Sequence, residues 1–196
     1  IHSVQDAQGM DLVALIVLFI SAPIVMFYMY INEINIMLGR RQFAKSVGKG
    51  KFTNNELASE LSEAVEFLSK RKIGALITIE RKTSLSHVIN KSLILNADVS
   101  KELLSSIFMT STPLHDGAVI IRDNKIVCAK AYYQASKRTD LPMNLGTRHR
   151  AALGVSEQSD AFTIIVSEET GRVSITLDGK MEYNLTKEAL NLYLEN

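Results

Sequence analysis

Two short clusters hold the residues best suited to chemistry. The first is Thr112-Pro113-Leu114-His115-Asp116-Gly117-Ala118, which leads straight into an apolar run. A carboxylate at the mouth of a strand can hold a divalent cation or take a proton. His115 beside it is a second possible ligand, and Gly117 lets a ligand come close to the backbone. The same residues also suit an Asp-Gly turn with a histidine on its shoulder. The second cluster, Gly146-Thr147-Arg148-His149-Arg150-Ala151-Ala152-Leu153-Gly154, puts a hydroxyl and three basic-capable side chains in the first turn of an expected helix. Positive charge there opposes the helix dipole unless an anion sits between the arginines and the exposed N–H groups. Phosphate is the natural anion, because arginine grips it with two parallel hydrogen bonds and Thr147 can donate another. The alternative is surface pairing of Arg148 and Arg150 with Asp116, Asp140, Glu157 or Asp160.

Weaker signals surround these two. Ser167-Glu168-Glu169-Thr170-Gly171 reads as a hairpin loop whose hydroxyl and carboxylate could complete a metal and phosphate site. Tyr132 and Tyr133 alternate at the end of an apolar strand, so one faces the core and the other is free to stack on a base. The lone Cys128 lies in an apolar run and reads as a buried, inert thiol. No phosphate-loop, dinucleotide or nucleophile-elbow motif is present.

The elements that must position these residues follow from periodicity. Thr53 with Glu56 reads as a capping box, and Leu57, Leu61, Ala64, Val65 and Leu68 repeat at helical spacing up to a stop at Gly74. Ala75 to Glu80 reads as a strand, Leu93 to Leu95 as a short apolar stretch, and Ser100 caps a helix through Leu103, Leu104 and Ile107. GAVII and KIVCAKAYY flank the turn pair Asp123-Asn124, while FTIIV and RVSITL flank Glu168 to Gly171, giving two hairpins. Helices are expected from about Thr147 to Val155 and, capped by Thr186, through Leu190 and Leu194. The fold class is α/β (α+β), a central mixed β-sheet flanked by helices.

Ahead of this domain, Leu12 to Asn32 carries no charged side chain and is close to the ~20 residues a helix needs to cross a bilayer. Asp6 and Asp11 precede it, whereas Arg40, Arg41, Lys45, Lys49 and Lys51 follow. The positive-inside rule therefore leaves the N-terminus outside and the larger part in the cytoplasm. The expected organisation is an extracytoplasmic N-terminus (1–11), one transmembrane helix (12–32), a juxtamembrane linker (33–52) and a folded domain (53–196), a single-pass protein of the cell membrane. With 22 Lys+Arg against 21 Asp+Glu among 196 residues, no global field attracts nucleic acid.

In this order, with TPLHDGAVI and LGTRHRAALGVSE around them, the two clusters resemble the diadenylate cyclase (DAC) family. Gly74-Ala75-Leu76-Ile77, Leu95-Asn96-Ala97 and Val166 to Gly171 add to the likeness, which runs from about Phe52 to Leu194. The resemblance implies condensation of two ATP into cyclic di-AMP with release of two pyrophosphates, at the face-to-face interface of two such domains. It assigns the catalytic role to Asp116, with Gly117 and Ala118 lining the nucleotide pocket. Phosphate and ATP contacts fall to Thr147, Arg148, His149, Arg150, Ser167 and Tyr132. A divalent metal (Mg²⁺, Mn²⁺ or Co²⁺) falls to Asp116, His115 and Glu168. A homodimer or higher homo-oligomer is implied, with an unidentified regulatory protein as a further partner. A single N-terminal span departs from the commoner membrane-bound members, which have three. A nucleotide sensor without turnover, or a membrane scaffold, would use the same arginines or the basic linker.

Overall fold

The computed structural model describes residues 14, 17, 19–31, 33–34, 55–142 and 145–195. The chain forms two units, Ile1–Gln42 and Phe43–Asn196. In the first, residues 19–31 are helical, with large apolar side chains such as Phe19, Met26 and Tyr28 exposed. Leu12, Val13, Leu15, Ile16, Leu18 and Asn32 of the expected span lie outside the described residues, as do the basic cluster from Arg40 to Lys51 and the capping Thr53. Among the described residues no helix is long and apolar enough to cross a membrane.

The second unit opens with α1 (Asn55–Lys70), whose Leu57, Leu61, Ala64, Val65 and Leu68 form the buried stripe its periodicity predicts. Each fully buried leucine contributes about 1.5–3 kcal/mol. The helix end departs from expectation. It closes at Lys70, not at Gly74, because Ile73 N–H donates to the Leu68 carbonyl (2.9 Å) and Lys72 N–H to that of Ser69 (3.1 Å). This is a Schellman turn with Lys72 in the left-handed position, at φ +53°, where a side chain costs about 1 kcal/mol relative to glycine.

Beyond that turn the elements are β1 (Ala75–Ile79), α2 (Ser86–Ile89), β2 (Leu93–Asp98), α3 (Lys101–Phe108), β3 (Ala118–Arg122), β4 (Lys125–Ala131), α4 (Thr147–Gln158), β5 (Phe162–Val166), β6 (Val173–Leu177), β7 (Lys180–Leu185) and α5 (Lys187–Glu195). Seven strands form one sheet in the order β2-β4-β3-β1-β5-β6-β7. β1 and β3 run parallel, whereas every other neighbouring pair is antiparallel. The sheet is mixed, as expected. Both expected hairpins form, β3–β4 about Asp123-Asn124 at φ +50° and +63° and β5–β6 about Glu168 to Gly171. Ser100 accepts from Leu103 N–H at 3.2 Å as the cap of α3, and Thr186 accepts from Ala189 N–H at 3.2 Å at the start of α5.

Apolar side chains fill both faces of the sheet. On one, Ile77 and Ile79 of β1 pack with Leu61 and Leu68 of α1, Leu104 and Phe108 of α3, and Leu190 and Leu194 of α5. On the other, Leu76 and Ile165 pack with Leu85, Ile89 of α2, and Ala152 and Val155 of α4. The thiol of Cys128 is free and buried in that second cluster, and burial pushes its pKa up, in keeping with an inert role.

The link from β1 to α2 is held by charge. Arg122 Nε and Nη2 donate to the two oxygens of Glu80 at 2.6 and 2.8 Å, and Leu85 N–H donates to Glu80 at 2.9 Å. Asp160 accepts from Lys82 and Thr83 N–H at 3.2 and 2.8 Å. Removing the Glu80 carboxylate strands a partly buried guanidinium and a backbone donor together. Glu80→Ala is expected to lower unfolding free energy by about 2 kcal/mol in urea titration; an unchanged midpoint would contradict this anchoring role.

Candidate active site

The ends of four adjacent strands meet along one edge of the sheet. Gly74 precedes β1 and Asp116-Gly117 precede β3, while Tyr132 follows β4 and Ser167-Glu168 follow β5. Register aligns them. Ala118 pairs with Ala131, so one step further Gly117 is level with Tyr132. Ala75 pairs with Val166, so Gly74 is level with Ser167. From Tyr132 across β3 and β1 to Glu168 is three strand spacings, about 14 Å at the usual separation. A cleft of about 640 Å³ occupies this edge, and His115, Asp116, Gly117, Tyr132, Thr147, Arg148 and Glu168 all line it. That volume suits a cofactor-sized or nucleotide-sized ligand.

At the β3 end, His115 Nδ1 lies 2.6 Å from the Thr112 carbonyl. A carbonyl only accepts, so Nδ1 donates to it and Nε2 is the ring nitrogen left to face Asp116. That nitrogen stands 3.5 Å from Asp116 Oδ1. An imidazole fixed through one nitrogen, beside an ionisable carboxylate that is 65% exposed to the cleft, is a donor set for a hard or borderline divalent cation, with remaining ligands from water or a phosphate. Among the described residues no three His, Cys, Asp or Glu side chains gather around one point. His115 and Asp116 therefore stand together, whereas Glu168 lines the same cleft at its far end. Gly117 has φ +89°, and a Cβ there would lie 2.8 Å from the Ala131 carbonyl oxygen. Close approach of β4 thus requires glycine.

At the other end, α4 starts at Gly146 with no side-chain cap and no acidic residue in its first turn. Its first N–H groups and positive dipole are therefore left for an external anion. Arg148 is 19% exposed and its Nη1 donates to Glu168 Oε2 at 2.6 Å, while its Nε is buried without a partner. Gly74 makes the space for this pair: a Cβ at that position would fall 2.6 Å from Arg148 Nη1 and 3.0 Å from Glu168 Oε2. Sequence reading took Gly74 as a helix stop, and only the packing reveals its actual part. The surface pairings offered as alternatives for Arg148 do not form. Asp140 pairs with Arg138, Glu157 accepts from Ser136, Asp160 holds the loop after β1, and Asp116 faces His115.

The remaining predicted residues divide. His149 and Ser167 line a small side pocket of about 40 Å³ that also borders Thr147, Arg148 and Glu168. Ala118 is buried at the base of β3. Arg150 lines neither hollow; its backbone carbonyl accepts from Ser136 N–H at 2.9 Å. Tyr132 and Tyr133 lie just past β4 and divide as expected. Tyr132 is 66% exposed, whereas Tyr133 packs against the second core cluster and burial pushes its phenol pKa up. Leu76 and Ala151, not singled out from sequence, add apolar walls. A second hollow of about 510 Å³ lies beyond the tyrosines. No carboxylate or arginine lines it, so the chemistry belongs to the first cleft.

A mixed sheet with carboxylate and imidazole at one end of a cleft and a basic helix start at the other defines a nucleotide-binding domain. Residues 62–181 match the family described as DAC: DisA bacterial checkpoint controller nucleotide-binding, and the chain belongs to it. It is 44% identical over 175 residues to the cyclic di-AMP synthase CdaA of Bacillus subtilis, covering 89% of this chain and 64% of that protein. It is 34% identical over 182 residues to the diadenylate cyclase of Mycoplasma pneumoniae, covering 89% of this chain and 87% of that one. The crystal structure of a double mutant of DacA from Staphylococcus aureus superposes with a TM-score of 0.68 at 46% identity, covering 69% of this chain and 91% of that one. The chain spans 64% of the length of the Bacillus subtilis relative and 51% of a Listeria monocytogenes diadenylate cyclase.

Two outcomes follow. Gly117→Ala should lose about 1–3 kcal/mol in denaturant titration, through left-handed strain and collision with β4; a stability equal to wild type would remove the close-approach argument. Burial also holds the His149 imidazole below its ordinary 6.5, against an opposing pull from Glu169. The unfolded chain then takes the proton more readily, so this contribution is complete above about pH 6.5 and declines as pH falls toward the folded-state value. The denaturant midpoint of His149→Gln should fall less than wild type between about pH 7 and pH 5.5; an equal fall would assign the slope elsewhere.

Proposed function

We propose that this chain is a diadenylate cyclase, condensing two ATP into cyclic di-AMP and two pyrophosphates. The observation that carries the reading is the single cleft with Asp116 beside His115 at one end and Arg148 at an uncapped helix start at the other. Each ATP supplies a 3′-hydroxyl that attacks the α-phosphate of the other. Each phosphorus exchanges its bond to pyrophosphate for one to the 3′-oxygen, and each hydroxyl gives up a proton. The Asp116 carboxylate orients the hydroxyl and accepts its hydrogen bond. The Arg148 guanidinium and the α4 N–H groups stabilise charge that develops on the phosphates. Tyr132 offers an exposed ring for a base, and Thr147 and Ser167 offer hydroxyls to phosphate oxygens.

Asp116 and His115 would hold a divalent ion such as Mg²⁺, Mn²⁺ or Co²⁺, which neutralises phosphate charge and lowers the pKa of the hydroxyl when bound. Glu168, at the far end of the cleft beside Arg148, would be a further ligand only to a cation bound at that end. One cleft of this size accommodates one nucleotide, so the second comes from a facing domain, and the active form is a homodimer or higher homo-oligomer. The charge-free run from Leu12 to Asn32, followed by basic residues, supports a membrane-spanning helix with residues 53–196 as a catalytic domain in the cytoplasm. Asp116→Asn should form product at least ~100-fold more slowly while folding and binding ATP as wild type does. Retained turnover in that variant, measured by chromatography with mass detection, would contradict the assignment.

A further inference from the structure

Three consecutive bases, Lys70, Arg71 and Lys72, span the end of α1 and the turn after it, and two of them are committed. Lys70 pairs with Glu66 at 2.6 Å, and the Arg71 guanidinium lies 3.7 Å over the Phe67 ring. Lys72 has no such partner among the described residues, and it lines the catalytic cleft. Its backbone sits in the left-handed position of the Schellman turn, at φ +53°, which favours glycine. Its stem is placed against the β5–β6 loop: Lys72 Cγ lies 3.5 Å from where a Cβ on Gly171 would be. That loop is fastened to the turn by Ser69 Oγ donating to the Gly171 carbonyl at 2.6 Å, which ties the segment bearing Glu168 to the turn bearing Lys72.

Charge in the cleft makes this cation consequential. Among the cleft-lining side chains, Asp116 and Glu168 oppose Arg148 and Lys72, and Arg148 already faces Glu168. A nucleoside triphosphate brings about four negative charges, most of them on its outer phosphates. With a base at Tyr132 and the reacting α-phosphate near Asp116, the outer phosphates point along the edge toward β1 and β5, where Lys72 stands.

Resting on the nucleoside-triphosphate reading of the cleft, we propose that Lys72 binds the outer phosphates, the pyrophosphate half that leaves. The hydrogen bond of an ammonium to phosphate at an exposed site is worth about tenfold in affinity. Lysine here thus serves binding at the expense of local backbone fit.

The test measures calorimetric affinity of the full chain with Mg²⁺ for α,β-methylene-ATP, which cannot release pyrophosphate, and for AMP. Lys72→Gly is the informative variant, because glycine suits the left-handed turn and should melt no lower than wild type. It is expected to bind the triphosphate analogue about tenfold more weakly and AMP within twofold of wild type, with Lys72→Arg restoring most of the loss. Unchanged affinity for the analogue, or an equal loss for analogue and AMP, would overturn the proposal. A lysine that merely offsets the α1 dipole would show a lower melting temperature in the glycine variant and no discrimination between ligands, which also overturns it. Failure of wild type to bind the analogue at all would instead remove the underlying nucleotide reading.

Discussion

Because β1 pairs in parallel with β3 while β4 and β5 run against them, the starts of two strands and the ends of two others meet along one edge of the sheet. An antiparallel neighbour would set its end beside the start of β1, whereas the parallel pairing sets the starts of β1 and β3, and so Gly74 and Gly117, side by side. The register then turns a linear sequence into a row: Tyr132, Asp116 with Gly117, Gly74, and Ser167 with Glu168. Each of these residues lies just outside a strand whose interior is buried, so the row inherits the rigidity of the core while its backbone stays free to meet a ligand. A one-residue slip of β3 would turn Asp116 from the cleft toward the opposite face.

Electrostatics along that row are arranged for an anion that arrives from outside. The uncapped start of α4, the buried and unpartnered Arg148 Nε, and the Arg148–Glu168 pair all sit at one end. In the free protein a carboxylate therefore rests on the guanidinium that phosphate would use. An arginine already held in place by one anion loses little further freedom when its partner changes. Gly74 is the steric condition for this arrangement, since a single methyl group there would meet both side chains. The opposite end carries the exposed Asp116 carboxylate, with Nδ1 of His115 tied to a carbonyl and Tyr132 open to solvent.

Much of this was legible from residue order. The amphipathic stripe of α1, the Ser100 and Thr186 caps, both early hairpins and the three polar clusters all lie where their local chemistry puts them. What escaped local reading depends on distant partners. Lys180 to Leu185 forms β7, whose Met181, Tyr183 and Leu185 alternate with polar residues, yet only Leu185 is buried, because an edge strand has one poorly covered face. The Asp178-Gly179 pair before it, at φ +50° and +68°, was the available hairpin signal. α2 is one turn long, too short for periodicity to show. The end of α1 was misplaced because Lys72 occupies a position where glycine is usual, and Gly74, the expected stop, has its task in the packing of Arg148. That Arg148 meets Glu168, twenty residues on, follows only from the pairing of β5 with β1.

A cleft that holds one nucleotide can bind but cannot close a ring made from two. The proposed condensation therefore requires transfer between facing copies of this chain. The most direct measurement incubates the full chain with ATP and Mn²⁺ or Mg²⁺, separates nucleotides by chromatography with mass detection, and follows initial rate against protein concentration. The account predicts cyclic di-AMP with two equivalents of pyrophosphate, and a rate that rises faster than linearly with protein until the dimer is saturated. Bound ATP with no cyclic product under any of these metals and concentrations would contradict it.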